Sequence, residues 1–248
     1  MNRLGLYYVP MPSISIIIPA YNEAKRLPQT LQHIHSYCQR LNRSIEVIVV
    51  DDGSTDQTVQ KVEQLHMAEV RVLRQSHNAG KFAAFRTGVE AAKHDWVLLY
   101  DADGATPIAV LDSVLPELTG NYDGFIGSRR IARANITIEQ SIWRKWFGLL
   151  AYKIIRLVTG VTFQDTQCGF KLCRTALARQ AVSKMQVTRF AGDVELIYLL
   201  QYFGGRLKEI PVEWHDVPDS TVRLSDYWKS LKDVLQIRRN INRGVYQN

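Results

Sequence analysis

Four near-continuous apolar runs, Ile14–Ile18, Ile45–Val50, Val70–Leu73 and Trp96–Tyr100, punctuate the first part of the chain. Runs of this length without strict polar alternation are what strands become when helices cover both faces of a parallel sheet. The stretches between them, Glu23–Leu41, Thr55–His66 and Ala79–Ala92, have helical length and composition. Alternation of this kind predicts βαβ units with right-handed crossovers. After Asp103 the rhythm loosens. Gly124–Gly127 and Ile210–Trp214 read as strands, and Glu139–Val158, Asp193–Phe203 and Asp226–Arg239 as helices. No internal repeat, low-complexity tract or linker interrupts the pattern. The expected fold class is α/β: a Rossmann-like, mostly parallel sheet with flanking helices, in one continuous domain whose two lobes cover 1–120 and 121–248.

Composition narrows the classes. With 46% hydrophobic and 22% charged residues in 248, the chain can bury a sizeable core, which excludes disorder and collagen-like repeats. Its 3 cysteines, Cys38, Cys168 and Cys173, form no C-x-x-C pair. That argues against a disulfide scaffold or a structural zinc site and fits a reducing compartment. Met1–Pro12 lacks the basic-then-apolar order of a signal peptide, so none is expected. The longest uncharged run, Leu4–Asn22, is broken by Pro10, Pro12 and Pro19, whereas a spanning helix needs roughly 20 predominantly apolar residues. The expected location is cytoplasmic, with no transmembrane helix.

Charge is unevenly spread. Met1 to Asp103 holds 11 basic and 11 acidic residues, so the formal +7 belongs to the remainder, with 20 basic against 13 acidic. Between Arg129 and Gly160 there are seven basic residues and one acidic, Glu139. Such a run either meets an anion or is a solvated face; nucleic acid, an anionic membrane and a phosphorylated ligand all fit its sign.

Ligands of open α/β sheets bind outside the carboxyl ends of the strands, so the polar residues after each apolar run are the candidates. The first run ends in Pro19-Ala20-Tyr21-Asn22-Glu23, which has neither the G-x-G-x-x-G of dinucleotide enzymes nor the phosphate loop of NTPases. The second ends in Asp51-Asp52-Gly53-Ser54-Thr55-Asp56, either a helix-capping turn or, through Asp52, an acceptor for a uracil or guanine N–H. The fourth ends in Asp101-Ala102-Asp103-Gly104. Two unit charges about 4 Å apart repel by roughly 4 kcal/mol at an effective dielectric of 20. A divalent cation removes that repulsion, and Mg²⁺ or Mn²⁺ characteristically joins one or two carboxylates to substrate phosphate oxygens.

Taken in order, Pro19–Glu23, Asp51–Asp56, His77-Asn78-Ala79-Gly80-Lys81 and Asp101-Ala102-Asp103 resemble the motifs of inverting glycosyltransferases with the GT-A fold. Asp165-Thr166-Gln167-Cys168-Gly169-Phe170-Lys171 and Gly192-Asp193-Val194-Glu195-Leu196 resemble those of the branch that glycosylates polyprenyl phosphates, the dolichyl-phosphate glucosyl type above the mannosyl type. The resemblance runs from about Ser13 to Arg239. It implies that Pro19, Tyr21 and Glu23 frame the nucleoside, that Asp52 meets the base and that Lys81 lies near the nucleotide. Asp101 and Asp103 would hold ribose and metal, Mg²⁺ or Mn²⁺, and Asp165 and Asp193 would face the sugar and the acceptor as the catalytic pair, Asp193 either as a base or as a group that positions the sugar. Three positions depart from the pattern. Ala105 stands where mannosyl enzymes often carry Gln, Phe82 replaces the last Gly of Gly-Lys-Gly, and Asp219-Ser220-Thr221 replaces Gly-Ser-Lys, with Arg223 a possible substitute.

The implied reaction moves a hexose, foremost glucose from UDP-glucose, onto dolichyl or undecaprenyl phosphate. GDP-mannose as donor, or a soluble or polysaccharide acceptor, are the alternatives; a nucleic-acid-binding module would leave the strand-end carboxylates unexplained, and no nucleic acid partner is expected. A phosphate acceptor with a second pKa near 6 is already mostly dianionic at neutral pH, so it asks for cations to hold it; Arg129, Arg130, Arg144 and Lys145 are the candidates. At about 100° per residue, Trp143, Trp146, Phe147, Leu150, Ile154, Leu157, Val158 and Val161 fall on one arc, with Lys145, Lys153 and Arg156 beside it. That pattern fits either a helix packed on the sheet or one lying in a membrane interface, and a peripheral membrane contact is expected.

Overall fold

The computed structural model describes residues 12–41, 44–131, 135–136, 153–189, 191–215 and 224–247. Strand β1 (Ile14–Ala20) pairs in parallel with β2 (Ile45–Asp51) on one side and β4 (Trp96–Tyr100) on the other, and β2 pairs in parallel with β3 (Val70–Arg74). Helices α1 (Leu27–Arg40), α2 (Thr58–Glu63) and α3 (Lys81–Ala91) are the crossovers. The sheet continues beyond β4 through β7 (Phe170–Arg174), antiparallel to both neighbours, then β5 (Gly124–Ser128) and β8 (Leu207–Pro211). The full order is β3-β2-β1-β4-β7-β5-β8, so strands from both halves of the chain make one sheet in one domain.

Burial follows the apolar runs. Ile14, Ile16, Ile17 and Ile18 are all completely buried, as are Val97, Leu98 and Leu99. Each such side chain contributes about 1.5–3 kcal/mol by leaving water. Odd and even positions face opposite layers. Ile16 and Ile18 pack under α1 with the short helical turns between Ile108 and Glu117, which include α4 (Leu111–Val114). Ile17 packs under α3, α6 (Thr175–Lys184) and α7 (Gly192–Tyr202). A third cluster joins α7 to α8 (Leu224–Asn242) and to the helical residues 153–159, here α5.

Several expected boundaries shift for identifiable reasons. The first helix begins at Leu27 rather than Glu23, because Asn22 adopts a left-handed φ of 56° and the following residues form a turn. The helix after β2 is shortened to Thr58–Glu63, since Thr55 and Asp56 donate their backbone N–H groups to the Asn22 side chain. Gly80, at φ 108°, delays α3 to Lys81. Ile210–Trp214 is not one strand: β8 ends at Pro211, and β9 (Glu213–Trp214) pairs instead with β6 (Asn135–Ile136). Neither β7 nor α6 was expected.

The expected single arc from Trp143 to Val161 also divides. Gly160, with φ 77°, ends α5, so Val161 turns into the core while Leu157 is 85% exposed. Residues 137–152, with Trp143, Arg144, Lys145 and Trp146, lie outside the described residues, as do Asp219-Ser220-Thr221 and Arg223. Among the described residues no helix is long and apolar enough to cross a membrane.

Candidate active site

Parallel pairing in register brings the carboxyl ends of β1, β2 and β4 to one rim, where Ala20 stands opposite Asp51. Asn22 stitches the first two loops together. Its Oδ1 accepts from Thr55 N–H at 2.8 Å, and its own N–H donates to Ser54 Oγ at 2.9 Å. Asp52 is buried below, where its two oxygens accept from Ala79 N–H and Gly80 N–H, both at 2.8 Å. Asp52 therefore ties the His77–Gly80 loop to the end of β2 and starts α3 at a fixed place. Tyr21, 43% exposed, stands at the surface of this rim, and Pro19 is half-buried in β1.

Lys81, the first residue of α3, reaches back across the rim. Its Nζ lies 2.7 Å from Asp101 Oδ1 and 3.9 Å from Asp193 Oδ2. Burial would depress the Lys81 ammonium, but Asp101 and Asp193 outweigh it and hold its pKa above the ordinary lysine value. Burial likewise raises Asp101, and Lys81, Lys171 and Arg129 overcome it, leaving that carboxyl below its usual range.

Asp103 differs. Burial and then Asp101 push its carboxyl up, and its Oδ1 accepts from Ala105 N–H at 3.1 Å. Among the described residues it makes no ion pair. Glu23 faces the same two aspartates and is raised by burial, partly offset by Arg26, whose Nε donates at 2.7 Å. A half-buried, cation-poor carboxylate beside a second one offers hard oxygen donors, the chemistry that suits Mg²⁺ or Mn²⁺. No cluster of three or more potential metal ligands occurs among the described residues.

On the other side of β4 the antiparallel strand β7 supplies Lys171. Its side chain is 1% exposed, and its Nζ donates to Asp193 Oδ1 and to Cys168 O, the latter at 2.7 Å. Asp193 sits at the start of α7, itself buried, between two ammonium groups. Asp165 is paired with Arg129 in a two-pronged contact, Nε to Oδ2 at 2.7 Å and Nη2 to Oδ1 at 3.0 Å, with the Arg129 N–H adding a third bond. Burial would raise Asp165, and Arg129 holds it below the usual carboxylate range. Arg129 is thus fixed, its guanidinium lying over the Trp214 ring at 5.5 Å. Arg130 is exposed beside it and donates from Nη1 to Gln164 O at 3.5 Å. Arg144 and Lys145 fall outside the described residues.

Two residues of the quoted motifs carry more than the sequence reading gave them. Lys171 had no assigned role, although a single lysine inside the apolar run Phe170–Cys173 signals a buried ion pair. Gly169 leaves the space that Asp101 fills: a Cβ there would lie 2.1 Å from Asp101 Oδ2. Gly169→Ala must displace Asp101 from Lys81. The expected result is about 1–3 kcal/mol lower stability and a loss of about a hundredfold in turnover, checked by urea unfolding and a transfer assay.

A mixed sheet with this strand order, carrying a D-x-D pair at one rim, is the architecture of GT-A glycosyltransferases. Residues 15–181 match glycosyl transferase family 2, and the chain belongs to that family. It is 34% identical over 92% of its length to a dolichyl-phosphate β-glucosyltransferase of Trichomonas vaginalis, covering 73% of that protein. To the human dolichyl-phosphate β-glucosyltransferase it is 34% identical over 96% of its length, covering 78% of that protein. Among solved structures it resembles glucosyl-3-phosphoglycerate synthase from Mycobacterium tuberculosis in complex with Mn²⁺, UDP and phosphoglyceric acid. That match has a TM-score of 0.67 and 18% identity, over 91% of this chain and 77% of that one, a likeness of fold.

Proposed function

We propose that this glycosyltransferase moves glucose from UDP-glucose to the phosphate of a polyprenyl lipid, with inversion at the anomeric carbon. The observation that carries the reading is one-third identity, over nearly the whole chain, to dolichyl-phosphate β-glucosyltransferases. The site geometry supports it. Asp103 and Asp101 would hold Mg²⁺ or Mn²⁺, which when bound neutralises charge on the departing diphosphate. Mn²⁺ and UDP are named together in the mycobacterial structure, in agreement with such a pair here.

The chain's own residues divide the rest. Tyr21, Pro19 and Glu23 would flank the nucleoside, and Asp52 would act beneath it by holding the loop that starts α3. Lys81 would meet the diphosphate from the side opposite Asp103. A dianionic acceptor phosphate needs no proton removed. Asp193, flanked by Lys81 and Lys171, would accordingly orient Lys81 and the sugar rather than serve as a base. Arg130, with Arg144 and Lys145, would hold the acceptor phosphate, and Arg129 would brace that side through Asp165. In this reading 1–120 binds the donor and 121–248 the acceptor.

Contact with a membrane surface completes the proposal. Leu157, Lys153 and Arg156 on α5 and Leu235, Arg238 and Arg239 on α8 are exposed, while Val234 and Ile237 anchor α8 to the body. Each basic residue near an anionic leaflet adds about 1 kcal/mol.

The test is thermal unfolding with Mn²⁺ plus UDP or GDP, followed by transfer to a short polyprenyl phosphate. UDP at a hundredfold excess over its Kd should add about 2.7 kcal/mol of stability, with GDP adding less. Stabilisation by neither nucleotide would remove the donor. In the same assay Leu157→Glu should weaken co-sedimentation with anionic vesicles and spare UDP binding.

A further inference from the structure

The loop joining α6 to α7 holds none of the groups assigned to substrate, yet its polar backbone is tied to the elements that carry them. Met185 O accepts from Arg86 Nη2 of α3 at 2.5 Å. Gln186 N–H and Val187 N–H donate to Glu195 of α7, at 3.0 and 2.7 Å. Thr188 O accepts from Phe82 N–H, in the first turn of α3, at 2.9 Å. The contact leaves no slack: a Cβ on Gly80 would lie 2.4 Å from Thr188 O, and one on Gly192 2.3 Å from Phe82 Cδ2.

Glu195 is the centre of this arrangement. It is completely buried, and a carboxylate so placed persists only when its oxygens are satisfied. Beyond the two loop amides it accepts from Tyr246 Oη at 2.5 Å. Tyr246, itself 2% exposed, follows the end of α8 and in turn accepts from Asn240 Nδ2 at 3.3 Å. Glu195 lies two residues after Asp193, about 200° around the helix. One turn of α7 therefore aims Asp193 at the site and Glu195 at the loop.

We propose that Glu195, held by Tyr246, is a positioning residue for the donor site: it fixes the backbone of Gln186–Thr188, and through Phe82 that loop fixes the start of α3 and Lys81. The inference rests on the reading of Lys81 as a donor-site lysine. It adds that the end of α8, remote in sequence, sets where that lysine stands.

The groups facing Glu195 are Arg86 from α3, Tyr246 beyond α8 and the two loop amides, with Asn240 of α8 behind Tyr246. Burial raises the Glu195 carboxyl, and the Tyr246 and amide bonds oppose that rise. Tyr246→Phe keeps the ring and removes one donor, so the carboxyl protonates at a higher pH. Once protonated it is a poorer acceptor for the loop.

The experiment compares hydrogen exchange and UDP·Mn²⁺ binding at pH 6 and pH 8 for the parent, Tyr246→Phe and Glu195→Gln. In Tyr246→Phe the Phe82 and Val187 amides should lose about fivefold in protection, with the loss growing as the pH falls. UDP affinity should weaken in parallel. Glu195→Gln, which does not titrate, should lose protection and affinity equally at both pH values. Parental protection at Phe82 in both variants would overturn the proposal, as would a loss spread evenly over Ile16–Ile18. A parent that binds no UDP would instead overturn the donor assignment, while the exchange at Phe82 still decides the positioning role.

Discussion

Replacing Asp103 with asparagine should cut glycosyl transfer by about 10³-fold and, at neutral pH, raise the melting temperature of the metal-free protein. The two effects share one cause. Burial and the neighbouring Asp101 push the Asp103 carboxyl up, so its ionised form is held against an unfavourable environment. An acid whose folded pKa exceeds its unfolded value destabilises the fold wherever it is charged. Asparagine keeps the volume and deletes the repelled charge, together with the ligand that a divalent ion needs. Differential scanning fluorimetry with and without Mn²⁺ separates the two: the variant should start higher and gain less from Mn²⁺ plus UDP. Parental turnover in the variant would remove Asp103 from the metal site.

Lys171→Met should lower stability by about 3–5 kcal/mol, the largest single loss expected at the site. Lys171 and Asp193 are both buried, and methionine leaves the Asp193 carboxylate with Lys81 alone, 3.9 Å away. Lys81 would then be drawn from Asp101 toward Asp193, so turnover should fall with stability. Adding Asp193→Asn to the same chain should recover much of the stability, because the stranded charge is gone, but none of the turnover. The coupling between the two substitutions is the strength of the pair. Urea unfolding of the parent, both single variants and the double variant measures it, and additive losses would mean that the two side chains do not depend on each other.

The strand ends were legible because their signals are local. An apolar run that stops at Pro19–Glu23, Asp51–Asp56 or Asp101–Asp103 announces a buried strand and a polar rim within a few residues. Gly80 and Lys81 are equally local, a glycine for the positive φ and a lysine on the turn it permits. The antiparallel strand β7 was not legible. Phe170–Arg174 is short, and its lysine hints at a buried ion pair without naming the partner carboxylate. Arg129 and Asp165 both stood among the candidates, but that one occupies the other depends on β5 and the Asp165 loop meeting 36 residues apart. Glu195 carried no role of its own in the Gly192–Leu196 motif, and its contact with Tyr246 spans 51 residues.

What the chain's order of residues determined is the class of chemistry: four apolar strands, turns carrying acids after three of them, and a basic second half. Those features follow from side-chain solubility and backbone preference, which act between near neighbours. Only tertiary structure decided the pairing of charges: Lys81 on Asp101, Lys171 on Asp193, Arg129 on Asp165, and Asp103 left without an ion pair among the described residues. The physical reason is that a buried charge selects its partner by distance and desolvation in three dimensions, and neither quantity is written in the spacing of residues along the chain.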